Sequence, residues 1–196
     1  MIYTIENYNI IAGCDEAGRG CLAGPVFAAA VILPVGLEIE GIDDSKKLSH
    51  KQRCHYRDII REKALDFAVA SVDNETIDKI NILNASILAM HKAIDKLTIK
   101  PDLIIVDGNR FKPYQTIPYQ CFVKGDANYA QIAAASIMAK TTRDDFMQQI
   151  DKEFPMYHWH NNKGYPTREH ANAIRLHGLC KYHRKTFNVP NQYSLF

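Results

Sequence analysis

The sequence predicts an α/β protein built as a mixed sheet flanked by helices, with a small helical C-terminal segment. Short apolar runs ended by turn residues indicate strands, and longer stretches with apolar residues three and four apart indicate helices. With 196 residues, of which 46% are hydrophobic and 23% charged, the chain suits one globular domain. No apolar run approaches the roughly 18 residues that cross a bilayer, and the first nine residues lack a secretory signal, so we expect a cytoplasmic protein.

Five strands are predicted from apolar runs. The run at 103–106 is continuously apolar and leads into Asp107 and Gly108, which is typical of a buried strand with an acid at its C-terminal end. The run at 10–14 ends in glycine-rich sequence, and the run at 26–33 stops at Pro34. The two remaining strands are predicted at 67–72 and 119–123.

Four helices are predicted from caps and periodicity. Ser49 with Gln52 forms a capping box that opens the first helix. Apolar residues spaced three and four apart predict one long amphipathic helix from Thr76 to residue 97. A third helix is predicted over 128–146, with a small-residue surface that can approach a sheet closely, and a fourth runs from its cap at Thr167 to residue 177.

Four acids stand beside sharp turns. Asp15 and Glu16 end the first strand, Asp107 ends the buried strand, and Asp126 precedes the third helix. If those strands are neighbours the carboxylates converge, and two of them about 4 Å apart repel by roughly 4 kcal/mol at an effective dielectric near 20. Oxygen ligands without a Cys/His set favour Mg²⁺ or Mn²⁺, and two such ions can serve both the attacking and leaving oxygens of a phosphodiester.

Asp15 and Glu16 raise a geometric difficulty. Successive strand residues face opposite sides of a sheet, so both carboxylates enter one site only if the strand breaks there. Glycines at positions 13, 18 and 20 favour such a break. Alternatively, Glu16 contributes its backbone carbonyl rather than its carboxylate, and the sequence leaves both options open.

The charge distribution is more informative than the net charge of +2. Residues 158–185 carry six Lys or Arg and one acid, a local charge of +5 that leaves −3 for the rest of the chain. Five of the eight histidines lie there too. We interpret this basic stretch as a surface for phosphate. We expect His158, His160 and His170 to have structural or phosphate-facing roles rather than to bind zinc or act as a base, and we expect Trp159 to pack in the protein rather than to form a stacking platform. The five cysteines are expected to be reduced and mostly buried.

Several segments of the sequence match the motifs of one enzyme family. The hexapeptide at 15–20 follows an apolar strand, as the family's signature does, and four further groups of segments match in order. The matching segments are Asp15-Glu16-Ala17-Gly18-Arg19-Gly20, Asp44-Ser45-Lys46-Lys47-Leu48, Val106-Asp107-Gly108, Lys124-Gly125-Asp126 with Ala134-Ala135-Ser136-Ile137-Met138-Ala139-Lys140, and Lys163-Gly164-Tyr165 followed by Thr167 and His170. Through these segments the chain resembles the type 2 ribonucleases H, known in bacteria as ribonuclease HII.

The resemblance implies a ribonuclease H-like fold and a metal-dependent endonuclease. Such an enzyme cleaves the RNA strand of RNA:DNA hybrids and nicks 5′ of single ribonucleotides in duplex DNA, leaving 3′-hydroxyl and 5′-phosphate ends. By motif, the metal-binding catalytic acids are Asp15, Glu16, Asp107 and Asp126, with Mn²⁺ or Mg²⁺ as the cofactor and two ions expected with substrate bound.

Substrate-binding residues follow from the same resemblance. The segment Gly18-Arg19-Gly20 is expected to read the 2′-hydroxyl, because glycine permits close backbone approach. Tyr165 matches the family's tyrosine that packs on a sugar and senses the RNA-to-DNA junction. We expect Lys46 and Lys163 to hold phosphates together with Arg19, giving salt-sensitive and largely sequence-independent binding.

The last residues suggest a docking peptide. We divide the chain into a catalytic domain over 1–188 and an extended tail over 189–196, where Gln192, Leu195 and Phe196 resemble the short peptide that docks bacterial replication enzymes on the sliding clamp. We expect a monomer.

Two alternatives to this interpretation are a ribonuclease HIII-like nuclease and a non-catalytic hybrid-binding module. The former usually carries an additional N-terminal domain, for which the nine residues before the first strand leave no room. Intact acids at all four motif positions count against the latter.

Overall fold

The structure is a computed structural model that describes residue 5 and residues 7–37, 39–42 and 48–190. The described strands are β1 (Ile11–Ala17), β2 (Val26–Ile32), β3 (Asp66–Val72), β4 (Leu103–Asp107) and β5 (Tyr119–Phe122). They form one sheet in the order β3-β2-β1-β4-β5, in which β2 is antiparallel to both neighbours while β1, β4 and β5 are parallel. The predicted mixed α/β sheet is confirmed.

Helices cover both faces of this sheet. They are α1 (His50–Lys63), α2 (Asn74–Ile80), α3 (Ile82–Asp95), α4 (Ala130–Asp151), α5 (Trp159–Asn162) and α6 (Arg168–His177), with 3₁₀ turns at Gly125–Ala127 and Pro155–Tyr157. Both hydrogen bonds of the predicted capping box at Ser49 and Gln52 are present, and Thr167 caps α6 as predicted. No helix in the described part of the chain is long and apolar enough to cross a membrane.

The prediction of one helix from Thr76 to residue 97 is wrong. The chain breaks at Asn81, whose φ of 64° lies in the left-handed region, and α2 and α3 lie on either side of it. The Asn81 side chain accepts a hydrogen bond from the Asn84 N–H and so caps α3. Residues of both helices pack into the same core cluster. The spacing of apolar residues therefore continues through Asn81 and gives no sign of the break there.

Two apolar layers hold the sheet between its helices. One layer joins β2 and β4 to α2 and α3, and the other joins β2 to α1 and α4. Helix α4 approaches β1 so closely that a Cβ on Gly13 would lie 2.2 Å from the carbonyl carbon of Gln131. The alanines of α4 at positions 133, 134, 135 and 139 are all buried in the second layer, which confirms the predicted small-residue surface. This surface brings α4 over the strand that carries Asp15.

A third cluster forms beneath the C-terminal segment. Trp159 is fully buried there and stacks on Tyr157 with ring centroids 5.0 Å apart, which confirms its packing role. The Trp159 indole N–H donates to Nε2 of His170, which also lies 3.2 Å from Nε2 of His183. The predicted small helical C-terminal segment is thus a packed unit, joined to the sheet through the loop after β1.

Candidate active site

A pocket opens where β1 and β4 end. The two strands run parallel, with Cys14 opposite Val106, so Asp15 and Asp107 leave the same edge of the sheet side by side. Together with Glu16 they line a cavity of about 400 Å³. The other residues lining this cavity are Ala17, Gly18, Arg19, Gly20, Arg53, Ser136, Lys140 and Tyr165. Three of the four predicted acids therefore share one pocket with the Gly-Arg-Gly segment and the predicted tyrosine.

The strand does not break at Asp15 and Glu16, contrary to expectation. Strand β1 stays paired with β2 through Ala17, so the two side chains leave opposite faces of the sheet. Asp15 hydrogen-bonds Ser136 on α4, whereas Glu16 also lines a smaller cavity on the α3 side. Both reach the main pocket because it lies across the ends of the strands, and no break is needed.

Burial and mutual repulsion act on these carboxylates. Burial raises the pKa of Asp15 well above its usual value, and the charges of Glu16 and Asp107 raise it further, against the hydrogen bond from Ser136. Burial also raises the pKa of Glu16, although Arg19 opposes the shift by donating to Glu16 Oε1 at 3.0 Å. The pocket therefore favours an added positive charge.

Asp126 lies next to the pocket but does not line it. It is buried within the Gly125–Ala127 turn, where the Gly125 N–H donates to Asp107 Oδ1 at 2.7 Å. Among the described residues, no three His, Cys, Asp or Glu side chains form a group that could hold a metal ion. The pocket's donors are nevertheless hard carboxylate oxygens, and besides burial the charges of Glu16 and Asp107 raise the pKa of Asp15. Donor chemistry thus fits Mg²⁺ or Mn²⁺.

The loop after β1 depends on glycine at one position. Gly18 has a φ of 95°, and a Cβ there would lie 2.1 Å from Nε of Arg143. A Cβ on Gly20 would meet no heavy atom within 4 Å. Gly18 is therefore required by the packing of the loop, while Gly20 leaves open space beside the pocket.

The two residues predicted from the Lys-Gly-Tyr segment are placed differently. Tyr165 lines the pocket, and its ring centroid lies 5.9 Å from Nζ of Lys140. Lys163 is not among the pocket's lining residues, and its Nζ donates to the carbonyl of His160. Burial lowers the pKa of Lys163.

Sequence reasoning missed several residues as members of the site. Ser136 and Lys140 line the pocket and belong to a matched motif, but no role was assigned to them there. Arg53 also lines the pocket, although the sequence predicted only that it lies in the helix that begins at the capping box. Lys46 and the tail residues Gln192, Leu195 and Phe196 lie outside the described residues.

Comparison with known proteins identifies the family. The family model described as Ribonuclease HII matches residues 12–189. The chain belongs to the ribonuclease HII family. A Ribonuclease HII of Phocaeicola vulgatus is 59% identical over 96% of this chain and 94% of its own length. A Ribonuclease HII of Parabacteroides distasonis is 57% identical over 97% of this chain and 96% of its own length.

Solved structures agree with this assignment to ribonuclease HII. The PCNA:RNase HII complex from Archaeoglobus fulgidus matches with a TM-score of 0.78 at 25% identity, covering 93% of this chain and 97% of that chain. Bst-RNase HIII in complex with Mn²⁺ matches with a TM-score of 0.68 at 20% identity, covering 86% of this chain and 63% of that chain, which is a likeness of fold alone.

Membership of the ribonuclease HII family decides between the alternatives for activity. The chain is a ribonuclease H, an endonuclease that acts on RNA:DNA hybrids. Neither the non-catalytic hybrid-binding module nor the ribonuclease HIII-like alternative is supported.

Proposed function

We propose that this enzyme uses divalent metal ions to nick duplex DNA 5′ of a single embedded ribonucleotide, leaving 3′-hydroxyl and 5′-phosphate ends, and to cut longer RNA:DNA hybrids in the same way. The observation that carries the proposal is a single pocket lined by Asp15, Glu16 and Asp107 together with the Gly-Arg-Gly loop and Tyr165. The carboxylates proposed to act on the phosphate and the loop backbone proposed to bind the sugar thus line the same cavity.

The proposed metal ligands are Asp15, Glu16, Asp107 and Asp126. Hard oxygen donors favour Mg²⁺ or Mn²⁺, and Mn²⁺ is the ion in the Bst-RNase HIII complex. We propose two ions when substrate is bound. Ions held there would activate the attacking water and neutralise charge at the scissile phosphate. Asp126 would join the set through the Gly125–Ala127 turn, which already contacts Asp107.

Substrate selection is proposed to rest on the loop and the tyrosine. The backbone of Gly18-Arg19-Gly20 lines the pocket and would hydrogen-bond the 2′-hydroxyl, the group that distinguishes ribose from deoxyribose. Tyr165 lies across the same pocket and would pack on the neighbouring sugar, so that it senses the RNA-to-DNA junction.

Phosphate contacts are proposed for Arg19, Lys46 and Lys163. The Arg19 side chain is 51% exposed and also pairs with Glu16, so it can hold a phosphate next to the carboxylates. Cationic contacts of this kind confer affinity without sequence preference.

We further propose that the tail over 189–196 docks on the sliding clamp through Gln192, Leu195 and Phe196. An archaeal RNase HII forms a complex with PCNA, which supports a clamp as a partner. Deleting the final five residues should abolish clamp binding while leaving nicking in the absence of the clamp intact. Unchanged clamp affinity would refute the proposal. A cytoplasmic, monomeric enzyme completes the proposed function.

One assay tests the activity. The protein is incubated with Mg²⁺ or Mn²⁺ and a labelled duplex containing one ribonucleotide, and an all-DNA duplex of the same sequence serves as control. We expect a single nick 5′ of the ribonucleotide, lost on addition of EDTA. Absence of this nick, or equal cutting of the all-DNA duplex, would overturn the proposal.

Junction sensing has its own test. Tyr165→Phe and Tyr165→Ala should slow cleavage of the single-ribonucleotide duplex more than that of a continuous hybrid, because a long hybrid offers many RNA sugars but no isolated junction. An equal loss on both substrates would remove Tyr165 from this role.

A further inference from the structure

Two buried guanidinium groups lie behind the Gly-Arg-Gly loop. Arg143 on α4 and Arg184 after α6 are 0% and 1% exposed. Neither forms an ion pair with an acid of the described residues. A buried cation is costly unless its donors are satisfied, so their hydrogen-bond partners indicate what each residue is for.

Arg184 donates to backbone carbonyls of the loop. Its Nη2 donates to the Gly18 carbonyl at 2.7 Å and its Nη1 to the Arg19 carbonyl at 2.8 Å. Its Nε and Nη2 both donate to the Gly24 carbonyl, at 3.0 and 2.9 Å. The Arg184 backbone adds a further link, because its N–H donates to the carbonyl of Leu22 at 2.9 Å.

This arrangement orients the loop's amide groups. In a trans peptide the C=O and the following N–H point in opposite directions. Because the carbonyls of Gly18 and Arg19 point back to Arg184, the N–H groups of Arg19 and Gly20 point away from it. Arg19 and Gly20 both line the pocket, so these N–H groups belong to residues that border the space proposed for the sugar.

Arg143 ties the loop to the tyrosine segment. It donates to the carbonyls of Ala23 and Lys163 at 3.2 and 2.9 Å, and its guanidinium carbon lies 5.7 Å from the Tyr165 ring centroid. Arg143 and Arg184 therefore both hold segments that line the pocket. Of the two, only Arg184 donates to the carbonyls of Gly18 and Arg19.

We propose that Arg184 is a positioning residue for sugar selectivity: it holds the loop amides in the direction that selects ribose over deoxyribose. The inference rests on the proposed reading of the 2′-hydroxyl by this loop. Arginine suits the role because its planar fork of five donors reaches carbonyls of three residues at once, whereas a lysine ammonium has three donors at one point.

The test measures selectivity rather than activity alone. Dissociation constants are determined by fluorescence anisotropy, in EDTA to prevent cleavage, for two duplexes that differ by one 2′-hydroxyl. We expect the wild-type protein to prefer the ribonucleotide duplex and Arg184→Lys to reduce that preference by about tenfold, the effect of losing aligned hydrogen bonds. Arg61→Lys, the same change on the exposed surface of α1, should leave the preference unchanged.

The outcomes separate this inference from the proposed function. Equal wild-type affinity for both duplexes would overturn the reading of the 2′-hydroxyl and this inference with it. A wild-type preference that survives in Arg184→Lys would overturn this inference alone, while nicking of the ribonucleotide duplex by the wild type would still support the proposed function.

A second variant separates positioning from general stability. Arg184→Ala leaves a cavity of guanidinium shape, and millimolar guanidinium should restore the preference for the ribonucleotide duplex without raising affinity for the all-DNA duplex. Thermal melting shows whether each variant is folded. Equal weakening of both affinities, with no recovery on adding guanidinium, would indicate a merely structural role and overturn the inference.

Discussion

The acidic edge of the sheet and the C-terminal segment both bury ionisable groups, but in opposite ways. At the edge, Asp15 and Glu16 are buried beside Asp107, and burial and repulsion raise the pKa values of both. In the C-terminal segment, the Arg184 guanidinium donates to three backbone carbonyls. The acids form a site of unbalanced negative charge that favours a bound cation. The buried guanidinium, by contrast, is hydrogen-bonded within the protein itself.

The histidines extend this contrast. His170 donates from Nδ1 to the Tyr165 carbonyl, which leaves its Nε2 to accept from the Trp159 indole N–H and from His183. His183 accepts at Nδ1 from the Cys180 N–H. Every nitrogen of these two rings therefore has a hydrogen-bond partner with both rings neutral, whereas the acids at the edge of the sheet raise one another's pKa.

The largest expected effect is at the acidic edge. Asp15→Asn should lower the nicking rate at least about 10²-fold, because it removes a proposed metal ligand from the pocket. Its melting temperature should equal or exceed that of the wild type, since the substitution relieves carboxylate repulsion. Nicking assays and thermal unfolding check the two parts. A variant with a much lower melting temperature would show that carboxylate repulsion does not destabilise this edge of the sheet.

The histidine pair should make stability depend on pH. Burial, and then the neighbouring His170, lower the pKa of His183 to about 4 from 6.5. The unfolded chain binds the proton first as pH falls, so the free energy of unfolding should decline from pH 6.5 to about 4, by on the order of 3 kcal/mol.

Urea unfolding at pH 7, 5.5 and 4.5 measures this decline. The variant His183→Gln provides the control, because a side chain that cannot titrate should flatten the pH dependence even if it lowers stability at pH 7. A slope equal to that of the wild type would exclude His183 as its source.

Alanine substitutions at two glycines of the same loop should differ in their effect on the stability of the protein. Gly18→Ala places a Cβ 2.1 Å from Arg143 Nε at a φ of 95°, so it should lower the free energy of unfolding by about 1–3 kcal/mol. Gly20→Ala meets open space and should change it by less than about 0.5 kcal/mol, while weakening binding of the ribonucleotide duplex. Urea unfolding compares them. Equal losses of stability would refute the assignment of Gly18 to packing and Gly20 to substrate.

The smallest effect is expected at an exposed cation. Lys181 pairs with Glu153 at 2.8 Å on the surface of the C-terminal segment. If Lys181 also contacts phosphate, Lys181→Met should weaken binding of the ribonucleotide duplex and of the all-DNA duplex equally. It should also reduce the slope of log affinity against log salt by about one. An unchanged salt slope would show that this part of the basic stretch does not face nucleic acid.

Much of the fold followed from local signals. The apolar run leading into Asp107 predicted β4, and the capping box at Ser49 predicted the start of α1, because both depend on residues adjacent in sequence. The break at Asn81 was not predicted, since a side-chain cap interrupts the backbone without interrupting the apolar spacing that carried the prediction.

The candidate site was predictable only in part. The motifs named Asp15, Glu16 and Asp107, which share the pocket, and Asp126, which lies in the turn beside it. They gave Ser136 no role, although it hydrogen-bonds Asp15, because its function depends on how closely α4 packs on β1. Nothing local distinguishes it from another helical serine.

The basic stretch shows most clearly where sequence reasoning ends. Composition counted Arg184 among cations available to phosphate, yet the structure buries it against carbonyls as far away as that of Gly18, 166 residues earlier in the chain. By itself the sequence determined the strands, most helices, the family and the residue types of the site, because these depend on short-range pattern. The tertiary structure alone decided which charges reach the pocket and which are neutralised within the protein, because burial and hydrogen-bond partners arise only when distant segments pack together.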